Sequence, residues 1–186
     1  MKVYFHLNIN GFSNCYLVVN ESAKEAIIID PGKITEEIIT QIEENSLKLA
    51  AVLVTHNHES HVEGIKTLQK IYSPKIYAAD WEIAGTQTNV ITGDGRLKLA
   101  KMNIYHMAVP GHTSDSVVYK IGNILFSGDA IFAGSMGSTN SSYSKFILQS
   151  NIEKKILSQL DGTIVMPGHG PPSTIEALKQ FNFDLE

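Results

Sequence analysis

Thr55-His56-Asn57-His58-Glu59-Ser60-His61 places three histidines within six residues, directly after the apolar run Leu49 to Val54. That run reads as a buried strand, so the histidines fall on the loop at its end. Loops at strand ends carry function because a rigid element fixes their base while the backbone stays free to turn. His56 and His58 are two apart, so in extended chain both imidazoles point the same way. His61 comes after a bend and approaches from another side. Imidazole is the commonest metal ligand in proteins, and divergent approach from one loop suits a tetrahedral ion. A polar loop of solvated histidines is the competing reading, and their density argues against it.

Upstream, Val3 to Leu7, Asn14 to Val19 and Ala26 to Ile29 alternate or run apolar as strands, with turns at Gly11 and across Asn20 to Lys24. Asp30-Pro31-Gly32 stops the third strand. Ile34, Ile38, Ile39 and Ile42 mark one helical face, with Glu36, Glu37, Glu43 and Glu44 elsewhere on the surface. Downstream, Val62, Ile65, Leu68 and Ile71 predict a helix, and Lys75 to Ala78 a short strand. Residues 85 to 95 read as a loop with little structure of their own. Met102 to Val109 is a strand, and Gly122-Asn123 joins Val117–Ile121 to Ile124–Phe126 as a hairpin. Leu148, Ile152, Ile156 and Leu160 predict a helix over Phe146 to Leu160. A strand over Thr163 to Met166 and a short helix from Thr174 to about Phe181 complete the chain. Many short strands with outer helices point to two sheets packed face to face and covered by helices.

The 186 residues suit one domain spanning 1–186. With 43% hydrophobic and 18% charged residues, the chain is of ordinary globular composition. A net charge of −4 offers no basic field for nucleic-acid phosphates. No apolar run approaches the ~20 residues of a membrane span, and the N-terminus reads as a strand instead of a signal peptide. The single cysteine, Cys15, reads as a buried strand thiol. A cytoplasmic protein acting on a small molecule fits these features; oligomeric state is not legible.

Three more strand ends carry a potential ligand flanked by small residues: His112 after Pro110-Gly111, Asp129 after Gly128, and His169 between Gly168 and Gly170. His6 and His106 sit inside strand patterns and read as structural. Together these residues resemble the metallo-β-lactamase superfamily, most closely its small branch similar to glyoxalase II, the hydroxyacylglutathione hydrolases. The resemblance rests on Asn14-Cys15-Tyr16-Leu17-Val18, Asp30-Pro31-Gly32, the histidine loop, Pro110-Gly111-His112-Thr113, Ser127-Gly128-Asp129, Phe132-Ala133-Gly134-Ser135 and Pro167-Gly168-His169-Gly170. It implies an α/β fold, a four-layer αββα sandwich with two metal sites at one edge. His56, His58 and His112 would hold the first metal, His61 and His169 the second, and Asp129 would bridge them. Metal-activated water would then attack a carbonyl.

The resemblance is incomplete in ways that bear on function. The family loop is His-x-His-x-Asp-His, and Ser60 stands where the aspartate belongs. That aspartate ligates the second metal and orients water, so its loss predicts one tightly bound zinc and a weak or partial second. Glu59 is the nearby carboxylate able to substitute, but adjacent side chains usually point apart. Relatives commonly carry Gly-Arg-x-Asp where this chain has Gly137-Ser138-Thr139-Asn140, and Pro-Gly-Ser where it has Ser114-Asp115-Ser116. Full glyoxalase II also carries a C-terminal helical region, whereas 17 residues follow His169 here, so no dedicated glutathione pocket is expected. The first expectation is a zinc-dependent hydrolase of a small thioester or ester. Competing readings are a mononuclear iron enzyme similar to persulfide dioxygenases, with iron on His56, His112 and Asp129, and a non-catalytic metal-binding homologue.

Overall fold

The computed structural model describes residues 1–9 and 11–185. In chain order the elements are β1 (Lys2–Asn8), β2 (Ser13–Asn20), β3 (Glu25–Ile29), α1 (Glu36–Glu44), β4 (Lys48–Leu53), α2 (Glu59–Val62), α3 (Ile65–Ile71) and β5 (Lys75–Ala78). Three two-residue strands follow: β6 (Glu82–Ile83), β7 (Thr86–Gln87) and β8 (Asn89–Val90). The second half holds β9 (Gly95–Leu99), β10 (Met102–Ala108), β11 (Val117–Ile121), β12 (Ile124–Gly128), α4 (Ser142–Asn151), β13 (Ile164–Pro167), β14 (Ser173–Thr174) and α5 (Ile175–Phe181).

Two six-stranded sheets form, ordered β1-β2-β3-β4-β5-β8 and β14-β13-β12-β11-β10-β9. In the first, β1 to β3 run antiparallel and β3, β4, β5 and β8 parallel. In the second, β9 to β12 are an antiparallel meander and β13 lies parallel to β12. Alternation along the strands sorts their side chains into three apolar layers. Leu17, Ile28 and Val52 meet Ile38 and Ile42 of α1 and Ile65 and Leu68 of α3. On the opposite face Val18, Ile27 and Leu53 meet Ile104, Tyr119 and Phe126 of the second sheet. Val118, Leu125 and Val165 then meet Leu148, Ile152 and Ile156, with Ile175 and Leu178 of α5. Helix, sheet, sheet, helix is therefore the layer order, as the strand and helix pattern predicts.

Local chemistry sets the helix ends. Thr35 caps α1 by accepting from the Ile38 amide, and Glu36 and Glu37 lie in its first turn, where carboxylates favour the helix dipole. Ser141 caps α4 by accepting from the Ser144 amide at 3.0 Å.

Three expectations need correcting. Residues 85 to 95 are not structureless: β6 and β7 pair as a small hairpin, and β8 extends the first sheet beside β5. The helix over Val62 to Ile71 is broken at Gly64, whose amide donates to the Pro31 carbonyl at 2.8 Å. The helix over Phe146 to Leu160 starts earlier, at Ser142, widens into a π-turn over Ile152–Ile156 and ends at Leu157. Leu160 therefore leaves the apolar stripe and is 78% exposed.

Candidate metal centre

The ligand-bearing loops leave the carboxyl ends of strands in both sheets. Asp30 follows β3, the histidine loop follows β4, His112 lies beyond β10, Asp129 follows β12 and His169 follows β13. Parallel strands expose their carboxyl ends at one rim, the usual place for a site in α/β architecture. Two glycines allow the crowding there. Gly128 takes φ +51°, and a Cβ on it would press on Thr55. A Cβ on Gly168 would overlap Oδ1 of Asp129.

Two groups of donors result. Nε2 of His56 is 2.9 Å from Nδ1 of His58, and Nε2 of His112 is 3.2 Å from that same atom. Oδ2 of Asp129 completes this group at 3.8 Å from His56 and 3.7 Å from His112. The second group joins Oδ1 of Asp129 to His169 at 2.9 Å and to Nε2 of His61 at 3.5 Å. Within each group the donor atoms lie within 4.8 Å of one another, and Asp129 belongs to both. All six residues proposed as ligands from sequence are thus brought together. Glu59 is exposed and belongs to neither group, and Ser60 adds no carboxylate.

The far nitrogens of three rings are held. Nδ1 of His56 meets the Thr55 hydroxyl at 3.1 Å, Nδ1 of His61 meets Oδ2 of Asp30 at 3.1 Å, and Nδ1 of His112 meets the Ser138 carbonyl at 2.7 Å. Each partner accepts a proton, which leaves the opposite nitrogen facing the centre with its lone pair. Thr55 in turn donates its hydroxyl to Asp30 at 2.7 Å and its amide at 2.8 Å. Sequence reasoning gave Asp30 a turn and a place in a family motif, but no role at the site. The signal was available: a carboxylate directly after the wholly apolar strand end Ile27-Ile28-Ile29, with no cation beside it, needs buried partners.

Electrostatics agree with a centre built for cations. Burial holds His56 neutral, down to about 3, with the nearby His61 adding to the effect. Burial and His112 likewise lower His58. Burial opposes charge on His61 too, yet the carboxylates of Asp129 and Asp30 push it up to about 10. Burial would raise Asp129, but the hydrogen bond from His169 and the charge of the nearby His61 hold its carboxyl well below the usual range. Nε2 of His61 is buried with no hydrogen-bond partner and lies 3.5 Å from Oδ1 of Asp129. In its neutral form, with Nδ1 donating to Asp30, this ring would aim an unpaired Nε2 lone pair at a carboxylate, an arrangement that a cation between them would satisfy. The donor set therefore fits metal.

His6 and His106 have partners elsewhere, Gln41 at 2.9 Å and the Gly93 carbonyl at 3.2 Å, in keeping with structural roles. Cys15 is buried, and that burial pushes its thiol up, away from reactivity. Among the described residues no helix is long and apolar enough to cross a membrane.

Two His/Asp groups sharing one carboxylate, at the rim of an αββα sandwich, define a metal-dependent hydrolase fold. Residues 9–84 and 89–180 match the metallo-beta-lactamase superfamily, and the chain belongs to it. An uncharacterized protein of Treponema pallidum is 30% identical over 175 residues, 94% of each chain. A hydroxyacylglutathione hydrolase of Chromohalobacter salexigens is 31% identical over 157 residues, which are 83% of this chain and 60% of that enzyme. This chain thus spans only part of that relative's length. The crystal structure of BLEG-1 B3 metallo-beta-lactamase matches with a TM-score of 0.90 over 99% of both chains, at 26% identity.

Proposed function

We propose that the protein is a zinc-dependent hydrolase of a small thioester or ester, similar to glyoxalase II, with the first group as its principal metal site. The observation that carries this reading is the convergence of His56, His58, His112 and Asp129 on one point, with the rear nitrogens of His56 and His112 already bonded. Three imidazole nitrogens with an open position suit zinc. Zinc, when bound there, supplies a Lewis acid that activates water with a pKa of roughly 7 and polarises a carbonyl.

The chain's own residues hold the geometry. Asp129 is placed to face both groups, so its two oxygens set their separation. Asp30 and Thr55 fix the tautomers of His61 and His56. Ser60 leaves the second group with His61, His169 and the shared Asp129, which favours a weaker second site. The 31% identity with a hydroxyacylglutathione hydrolase supports the thioester class.

The test is metal analysis of protein purified without added metal, followed by turnover of neutral and glutathione thioesters with and without chelator. Zinc with chelator-sensitive hydrolysis is expected. Iron, together with oxygen uptake on a glutathione persulfide, would replace this reading with a dioxygenase.

A further inference from the structure

We propose that this centre, on the hydrolase reading above, selects substrates whose organic part is uncharged and disfavours anionic carriers such as glutathione. Beside His112 lies a cavity of about 310 Å³, at the small end of ligand pockets. Pro110, Thr113, Asn140, Tyr143 and Ile147 are among its walls, and among the described residues no lysine, arginine or carboxylate lines it. Tyr143 is 74% exposed, so its ring is free to close on an apolar group.

The other side of the first group carries more acid than base: Asn57 lines a second pocket with Glu59, Glu63 and one cation, Lys66. Asn57 lies between His56 and His58, and its amide donates to Oδ2 of Asp115 at 2.8 Å. Its side chain donates to Oδ2 of Asp80 at 3.4 Å. Asp115 follows Ser114, a wall of the cavity, so its carboxylate stands where the cavity meets the histidine loop. Glutathione carries two carboxylates and one ammonium. A ligand of that charge meets repulsion from Asp80 and Asp115, and beyond the metal, which both kinds of substrate meet alike, no cationic side chain lines the cavity among the described residues.

The test is calorimetry on zinc-loaded protein with two non-hydrolysable thioethers, S-benzyl-N-acetylcysteamine, which is neutral, and S-benzylglutathione. The neutral probe should bind about fivefold to tenfold tighter at low salt, the size expected of screened charge pairs near a Debye length apart, and the gap should shrink at high salt. Asp115→Asn keeps an acceptor for the Asn57 amide and should narrow the gap, as should Asp80→Asn. Tyr143→Ala should weaken both probes. Zinc content and melting temperature check that each variant is folded. The proposal is overturned if neither probe binds, if the glutathione conjugate binds as tightly, or if both carboxylate variants leave the ratio unchanged. A protein that keeps the preference but hydrolyses nothing loses the hydrolase reading alone. One that hydrolyses thioesters but prefers glutathione loses the selectivity alone.

Discussion

Oδ2 of Asp30 lies 3.1 Å from Nδ1 of His61, and the same oxygen accepts the Thr55 hydroxyl that meets His56. One buried carboxylate thus orients a histidine in each donor group. Asp30 also sits at φ +51°, a conformation that asparagine tolerates and most residues do not. Asp30→Asn is therefore a clean test, keeping the backbone while weakening the acceptor. We expect zinc affinity to fall about 10–100-fold, as for other partners of metal-bound histidine. Competition against a chromophoric chelator measures it. Unchanged affinity would show that His61 and His56 need no such support.

The metal-free protein should be most stable near pH 6.5. His61 is raised from 6.5 to about 10, so its contribution is full below 6.5 and is lost as pH rises towards 10. His56 is lowered from 6.5 to about 3, so its contribution is present above 6.5 and is lost as pH falls towards 3. Thermal unfolding of chelator-treated protein across that range should trace a dome. A melting temperature that climbs steadily from pH 6.5 to 10 would contradict the assignment for His61.

Ser60→Asp should strengthen the second group. Ser60 packs against Gly11, and its carbonyl accepts from the Ser13 hydroxyl at 2.6 Å, so the backbone at this position is already fixed. We expect zinc to rise from roughly one ion per chain towards two, with faster thioester turnover. Two tightly held ions in the unaltered protein would sink this idea.

Gly168→Ala should damage the second group more than the first. The added methyl would overlap Oδ1 of Asp129 and approach His61 Cε1 at 2.7 Å. Overpacking of this kind costs about 1–3 kcal/mol, and a domain of this size loses about 2–4 °C in Tm per kcal/mol. Calorimetry with and without zinc measures both effects. A variant with unchanged Tm and unchanged zinc binding would mean the loop simply moves aside.

Most strands and the six candidate ligands were legible because each rests on a local pattern. Leu49 to Val54 is a continuous apolar run, and His112, Asp129 and His169 are each flanked by a glycine next to a strand. What was illegible depends on distant partners. β8 exists because β5 offers an edge, with the Ile91 amide donating to the Ala78 carbonyl at 2.9 Å, and nothing within residues 85 to 95 announces that edge. Leu160 fits a helical stripe by spacing, but the π-turn at Ile152–Ile156 ends the helix first. Asp30 looked like punctuation because its partners, Thr55 and His61, lie 25 and 31 residues away.

The donors arrive from opposite sheets. His56, His58 and His61 follow β4, whereas His112, Asp129 and His169 follow strands of the other sheet. An ion held in the first group would act as a rivet through the sandwich, joining positions 56 and 112 without any covalent bond. Sliding one sheet over the other would then require pulling a ligand off the ion. Shearing the sandwich apart and releasing its metal would be one event, so the lifetime of the loaded fold would be set by how fast the rivet is drawn.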